Sequence, residues 1–116
     1  MNPENVLFRK VRSYIDSNFL TGITMNSLAE NIGFSPEYII RLFKKEIGIT
    51  PHQYIISQKM QLASSYLVSS DKTITQIADE LMFYDSHHFS QTFTRYTGLR
   101  PSVYRKLHSA SKKITP

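Results

Sequence analysis

The sequence contains no cysteine and no tryptophan. Without thiols it can neither close a disulfide nor offer thiolate to a metal. Glycine (4) and proline (5) are scarce and fall at isolated points between periodic segments. Strand-like alternation is absent, so an all-helical chain is expected. No apolar run approaches the ~18 residues that would span a bilayer. The opening Met-Asn-Pro-Glu-Asn lacks the cationic and apolar regions of a signal peptide, which leads to the expectation of a soluble, cytoplasmic protein. What remains is 116 residues, 41% of them hydrophobic, enough for one domain or two very small ones. The net charge of +5 suits an anionic partner such as nucleic acid.

The chain is organised around Ser35 to Gly48. Ser35 is a good N-cap, Pro36 suits the first helical position, and Gly48 can take the left-handed conformation that ends a helix. Ile39, Leu42, Phe43 and Glu46/Ile47 fall on one side at helical spacing. Glu37, Arg41 and Lys44 point the opposite way, flanked by Tyr38, Ile40 and Lys45.

Similar signals divide the rest. Asn2 and Pro3 open a helix to about Asn18 whose apolar stripe is Val6, Leu7, Val11, Tyr14, Ile15 and Phe19, with Arg9, Lys10 and Arg12 off it. Thr24 caps a short helix that turns Leu28, Ala29 and Ile32 inward. Thr50, Pro51 and Gln53 form another start signal, and the helix that follows reaches about Ser69. Its inward residues are Tyr54, Ile55, Met60, Leu62/Ala63 and Leu67. Thr73 with Gln76 opens a short helix carrying Ile74, Ile77, Ala78 and Leu81. Asp85 caps a helix to Thr97, stopped by Gly98. Phe89, Phe93 and Tyr96 face inward on it, and His87, Gln91 and Thr94 outward. Arg100-Pro101 opens a last short helix with Val103, Tyr104 and Leu107, and residues 109–116, small, polar and basic, are expected to fray.

An internal repeat fixes the organisation. Thr24 pairs with Thr73, Leu28 with Ile77, Ala29 with Ala78 and Phe34 with Phe83, all at one spacing. Beyond the turn the spacing is one residue longer: Ser35 pairs with Asp85, Ile39 with Phe89, Phe43 with Phe93, Gly48 with Gly98, Pro51 with Pro101 and Tyr54 with Tyr104. One residue, near Tyr84, has been added in the second turn. Each repeat is a short helix, a tight turn and a second helix with a polar outer face, the helix-turn-helix pattern whose second helix enters the major groove. The helix between the repeats would be about 28 Å long. The major groove returns every ~34 Å along one face of B-DNA, so a single chain could set two reading helices in successive grooves.

These residues resemble the AraC/XylS transcription regulators. Leu28-Ala29, Ser35, Ile39, Arg41, Phe43-Lys44-Lys45 and Gly48 look like the first helix-turn-helix of that family. Ile74, Ile77-Ala78, Phe83, Asp85, Phe89-Ser90, Phe93, Tyr96, Gly98, Pro101 and Tyr104-Arg105 look like its diagnostic second one. The resemblance covers Val6 to Leu107. It implies a seven-helix domain of two homeodomain-like helix-turn-helix subdomains, 1–52 and 70–108, joined by a long helix over 51–69. It implies binding to promoter DNA and recruitment of RNA polymerase. It fits either a small stand-alone regulator or the C-terminal part of a longer one that carries an effector-binding, receiver or sensor module. Two departures stand out. Met82 occupies the place of the family's usual glycine, so either it is strained or the longer turn avoids the left-handed conformation. Gln91 stands where arginine is frequent.

If the outer faces meet DNA, the base readers are Glu37, Ile40 and Arg41 on the first helix and Ser86, His87, Ser90 and Gln91 on the second. Arginine can fork onto guanine, glutamine pairs with adenine, an aliphatic meets the thymine methyl and a carboxylate accepts from cytosine. Lys44, Lys45, Lys59, Arg95 and Arg100 are placed for phosphates, as are the helix starts at Thr24, Ser35 and Thr73. The other reading is a protein-interaction module using the same faces, to which Ile40 beside Tyr38 would be suited. No metal or other cofactor is expected: His87 and His88 diverge by ~100° on a helix, so they do not chelate, and no carboxylate or thiolate sits at i+4. No enzyme is expected either, because Asp85, Ser86 and His87, consecutive at a helix start, cannot align as a catalytic triad. Lys112 and Lys113 read as solvated tail.

Overall fold

The computed structural model describes residues 2–113, the last four through the backbone alone. Seven helices occur among the described residues: α1 (Pro3–Asn18), α2 (Met25–Ile32), α3 (Pro36–Ile47), α4 (Pro51–Ser69), α5 (Ile74–Glu80), α6 (Ser86–Thr97) and α7 (Pro101–Lys113). No strand occurs among the described residues. The chain divides into two compact units, 1–58 and 59–116, and the division falls inside α4.

The helix starts follow the side chains that define them. Asn2 Oδ1 accepts from the Glu4 N–H at 3.0 Å. Thr24 and Ser27 form a reciprocal capping box, and so do Thr73 and Gln76. Thr50 and Gln53 do the same at α4: the Thr50 N–H donates to Gln53 Oε1 at 2.9 Å, and the Gln53 N–H to Thr50 Oγ1 at 3.1 Å. Such caps satisfy backbone donors that the first helical turn leaves without partners.

In the first unit Phe8, Val11, Ile15, Leu28, Ile39, Leu42, Phe43 and Ile55 are buried together. In the second the buried set is Met60, Ala63, Leu67, Ile77, Ala78, Leu81, Phe89 and Phe93. The repeat extends to the packing of rings. Phe43 meets Tyr54 edge-on at 5.9 Å, and Phe93 meets Tyr104 edge-on at 5.2 Å, the same pair of positions in each unit.

Four expectations need correction. On α1 the buried line runs Phe8, Val11, Ile15, and Val6 is 46% exposed; two residues from Phe8 are ~200° around the helix, so Val6 cannot share its face. On α6 the line Phe89, Phe93 continues at the half-buried Thr97, which leaves Tyr96 exposed. On α7 the covered side passes through Pro101, Tyr104 and Arg105, while Val103 and Leu107 are exposed. Ile47, last before the Gly48 cap, is likewise exposed. The C-terminal helix runs to Lys113, with no glycine or proline from Val103 onward to interrupt it. The remainder of the expected tail, 114–116, lies outside the described residues.

Candidate nucleic-acid interface

Each unit presents one helix whose inner face is core and whose outer face is polar. In the first, Ser35 Oγ accepts from the Tyr38 N–H at 3.2 Å and fixes the start of α3. Gly48, at φ 78°, ends it in the left-handed region. Ile39, Leu42 and Phe43 are buried, and Glu37, Arg41, Lys44 and Lys45 are exposed on the other side. Ile40 and Tyr38 are half-buried at its edges.

The side chains of this face are not independent. The Arg41 guanidinium stands 5.9 Å over the ring of Tyr38, and that ring stacks on Phe34 at 5.3 Å. The Tyr38 hydroxyl faces Glu4 Oε2 at 3.5 Å. Glu4 Oε1 in turn accepts from Lys45 Nζ at 2.8 Å. This hydrogen bond holds the Glu4 carboxyl below its ordinary pKa and raises that of the Lys45 ammonium. Lys44 points into solvent, but Lys45 is tied to the first turn of α1.

In the second unit Asp85 Oδ1 accepts from the His88 N–H at 2.8 Å and starts α6, and Gly98, at φ 81°, ends it. His87, Gln91 and Arg95 are exposed, and Ser86 and Ser90 half-buried. His87, Ser90, Gln91, Arg95 and Arg100 line one open groove of about 740 Å³. Ile74, Thr94, Pro101 and Ser102 complete it. The groove therefore joins α6 with the first residues of α5 and α7; at α7 the backbone donors begin at Ser102, because Pro101 has no N–H. Ser102 was not singled out in the sequence, although Pro101 marks a helix start as clearly as Pro36 does.

The remaining expected contacts divide by exposure. Thr24, Ser35 and Thr73 are exposed, and their hydroxyl oxygens accept cap hydrogen bonds while keeping a proton to donate. Lys59, on α4, is half-buried with its ammonium 5.4 Å over the Phe83 ring, and burial lowers its pKa.

The turns differ in one respect. Gly33 closes α2 at φ 86°. Met82, at the matching place after α5, has φ 62° and is the one non-glycine residue with positive φ among those described. The added residue in the second turn does not avoid the left-handed conformation. It follows Met82, and Tyr84 at the tip is 92% exposed.

The sequence model of a family described as a helix-turn-helix domain matches residues 28–107. Among curated relatives, the raffinose operon transcriptional regulatory protein RafR of Pediococcus pentosaceus is 32% identical over 85% of this chain and 36% of its own length. The melibiose operon regulatory protein of Escherichia coli is 30% identical over 89% of this chain and 34% of its own. Among solved structures, the C-terminal domain of AraT, a response regulator from Geobacillus stearothermophilus, superposes with a TM-score of 0.83 at 31% identity, covering 91% of this chain and 86% of that one. The DNA-binding domain of AdpA, solved with a target DNA, has the same fold (TM-score 0.84, 22% identity, 92% and 96% covered). The chain spans about a third of the length of the two operon regulators. By its matched residues, its two helix-turn-helix units and these relatives, the chain belongs to the AraC family of transcription regulators and carries that family's DNA-binding domain.

Proposed function

We propose that the chain binds one non-palindromic site in double-stranded promoter DNA, with α3 and α6 each in the major groove. The observation that carries this is the repetition: two capped helices, each with a buried apolar line and an opposite, exposed face of polar and cationic side chains. The subdomains are 1–52 and 70–108, with 51–69 as the link. Arg41 reads guanine, Gln91 adenine and Ile40 a thymine methyl, while Glu37 accepts from cytosine. Ser86, His87 and Ser90 line the second contact. Lys44, Arg95, Arg100 and the starts at Thr24, Ser35 and Thr73 meet phosphates, and Lys45 and Lys59 do so once released from Glu4 and Phe83. RNA polymerase is the protein partner, the chain works in the cytoplasm, and within a longer regulator an effector or sensor module would govern it. It carries no catalytic activity of its own.

The test is anisotropy with random and selected duplexes over a salt series. Binding through several phosphates weakens steeply with salt. A flat response would replace this reading with docking to a protein. Footprinting of the selected site should show about 20 protected base pairs, two turns of duplex, without two-fold symmetry.

A further inference from the structure

Arg41 differs from the other exposed cations of the first motif in what lies beneath it. Lys44 projects into solvent and Lys45 is paired with Glu4. The Arg41 guanidinium rests on an aromatic ledge built by Tyr38 and Phe34. Arginine loses much side-chain freedom when it forks onto a base, and a cation lying on a ring has lost part of that freedom beforehand. The ledge itself is fixed from two sides: Phe34 stacks on one face of Tyr38, and the Tyr38 hydroxyl reaches Glu4.

The second motif places rings at the same positions but arranges and loads them differently. Phe83 and His88 meet edge-on at 5.4 Å instead of stacking. The cation there is Lys59, supplied by α4 and not by the reading helix, and it lies over Phe83. The position matching Arg41 is Gln91, which carries no charge for a ring to hold.

We propose that Tyr38 is a positioning residue for base readout. Its ring presets the Arg41 fork for the base that Arg41 reads. The proposal rests on the assignment of Arg41 as a base reader. Tyr38 need not touch DNA for it to hold.

The experiment measures the full chain on a selected duplex and on one changed at the base pair whose preference Arg41→Ala abolishes. Tyr38→Leu should narrow that preference roughly two- to five-fold, the range of an exposed cation–ring contact. Tyr38→Phe, which keeps the ring and drops the hydroxyl, should retain most of it. In the Arg41→Ala background Tyr38→Leu should change nothing further. Thermal melts establish that each variant is folded. Should Tyr38→Leu not fold, Phe34→Leu removes the supporting ring and should narrow the same preference by less. Equal weakening on both duplexes, or an undiminished effect in the Arg41→Ala background, overturns the ledge while leaving Arg41 as a reader. Loss of no base preference in Arg41→Ala itself overturns the reader assignment, and the ledge with it.

Discussion

Arg105 Nε donates to the carbonyl oxygen of Leu67 at 3.0 Å, so a guanidinium on α7 closes the C-terminal end of α4. The same side chain reaches the carbonyls of Tyr66, Ser70 and Lys72. The last carbonyls of a helix have no partner within it, and a cation there also meets the negative end of the helix dipole. Arg105 is half-buried, so these bonds are partly shielded from water. Arg105→Ala should destabilise the second unit by about 1.5–3 kcal/mol, the range for hydrogen bonds to a charged group. Arg105→Lys should recover only part of it, because an ammonium cannot fan across several carbonyls as a guanidinium does. Urea unfolding of the variants checks both. At a temperature where all are folded, DNA affinity should be unchanged.

Gly33 and Met82 occupy one repeat position with φ of 86° and 62°. A Cβ built on Gly33 meets nothing within 4 Å, so only backbone strain opposes Gly33→Ala. That change should cost about 1 kcal/mol. Met82→Gly should have the opposite sign. Relief of a similar strain is partly offset by the larger entropy glycine gives the unfolded chain, which leaves a gain of roughly half a kcal/mol. Paired thermal melts decide it: two shifts of the same sign would refute strain at Met82.

Tyr54 donates its hydroxyl proton to Asp16 Oδ1 at 2.7 Å, and burial, aided by that bond, pushes its pKa up to about 12. The folded protein therefore holds this proton more tightly than the unfolded chain, whose tyrosine titrates near 10. Stability from the pair is complete below about pH 10 and is lost as pH rises from there toward 12. The stability difference between wild type and Tyr54→Phe should hold constant from pH 7 to 9 and shrink above 10. Urea midpoints across this range measure it.

How much of this could be read beforehand depends on the range of the interaction. Caps such as Ser35 and Asp85, and stops such as Gly48 and Gly98, act within a single turn, so local spacing exposes them. The repeat then paired distant positions such as Phe43 and Phe93. Most of what escaped depends on contacts between elements. Phe8 was missed although it stands three before Val11 and seven before Ile15, the spacing of one helical face that Val6 does not share. Glu4 gave no sign that it would hold Lys45, forty-one positions away. Arg105 stood out only by its family resemblance, since its target is backbone, which a sequence does not display. The Tyr38 ledge combines both kinds: Tyr38 and Arg41 are three apart and visibly neighbours, but Phe34 completes the stack from outside the helix.

Gln91, Lys44 and Lys45 should give three distinguishable binding signatures. Gln91 is neutral and exposed on the groove side of α6, so Gln91→Ala should reduce discrimination at one base position by about 1–3 kcal/mol. It releases no counterion, so the salt slope should stay where it was. Lys44→Ala should weaken binding to specific and scrambled duplexes alike and lower the slope by about one. Lys45 is the discriminating case. Its ammonium is 2.8 Å from Glu4 Oε1, and for as long as it stays on Glu4 it neutralises no phosphate and displaces no counterion from the DNA. Lys45→Ala should therefore change the slope by clearly less than Lys44→Ala does. In the Glu4→Gln background the pair is gone, and Lys45→Ala should reach the full Lys44-like change. Binding isotherms for the variants over a salt series give all three slopes. Equal slopes for Lys44→Ala and Lys45→Ala in the wild-type background would mean that DNA takes Lys45 from Glu4 on binding. A lowered slope for Gln91→Ala would mean that the groove side of α6 meets phosphate instead of bases.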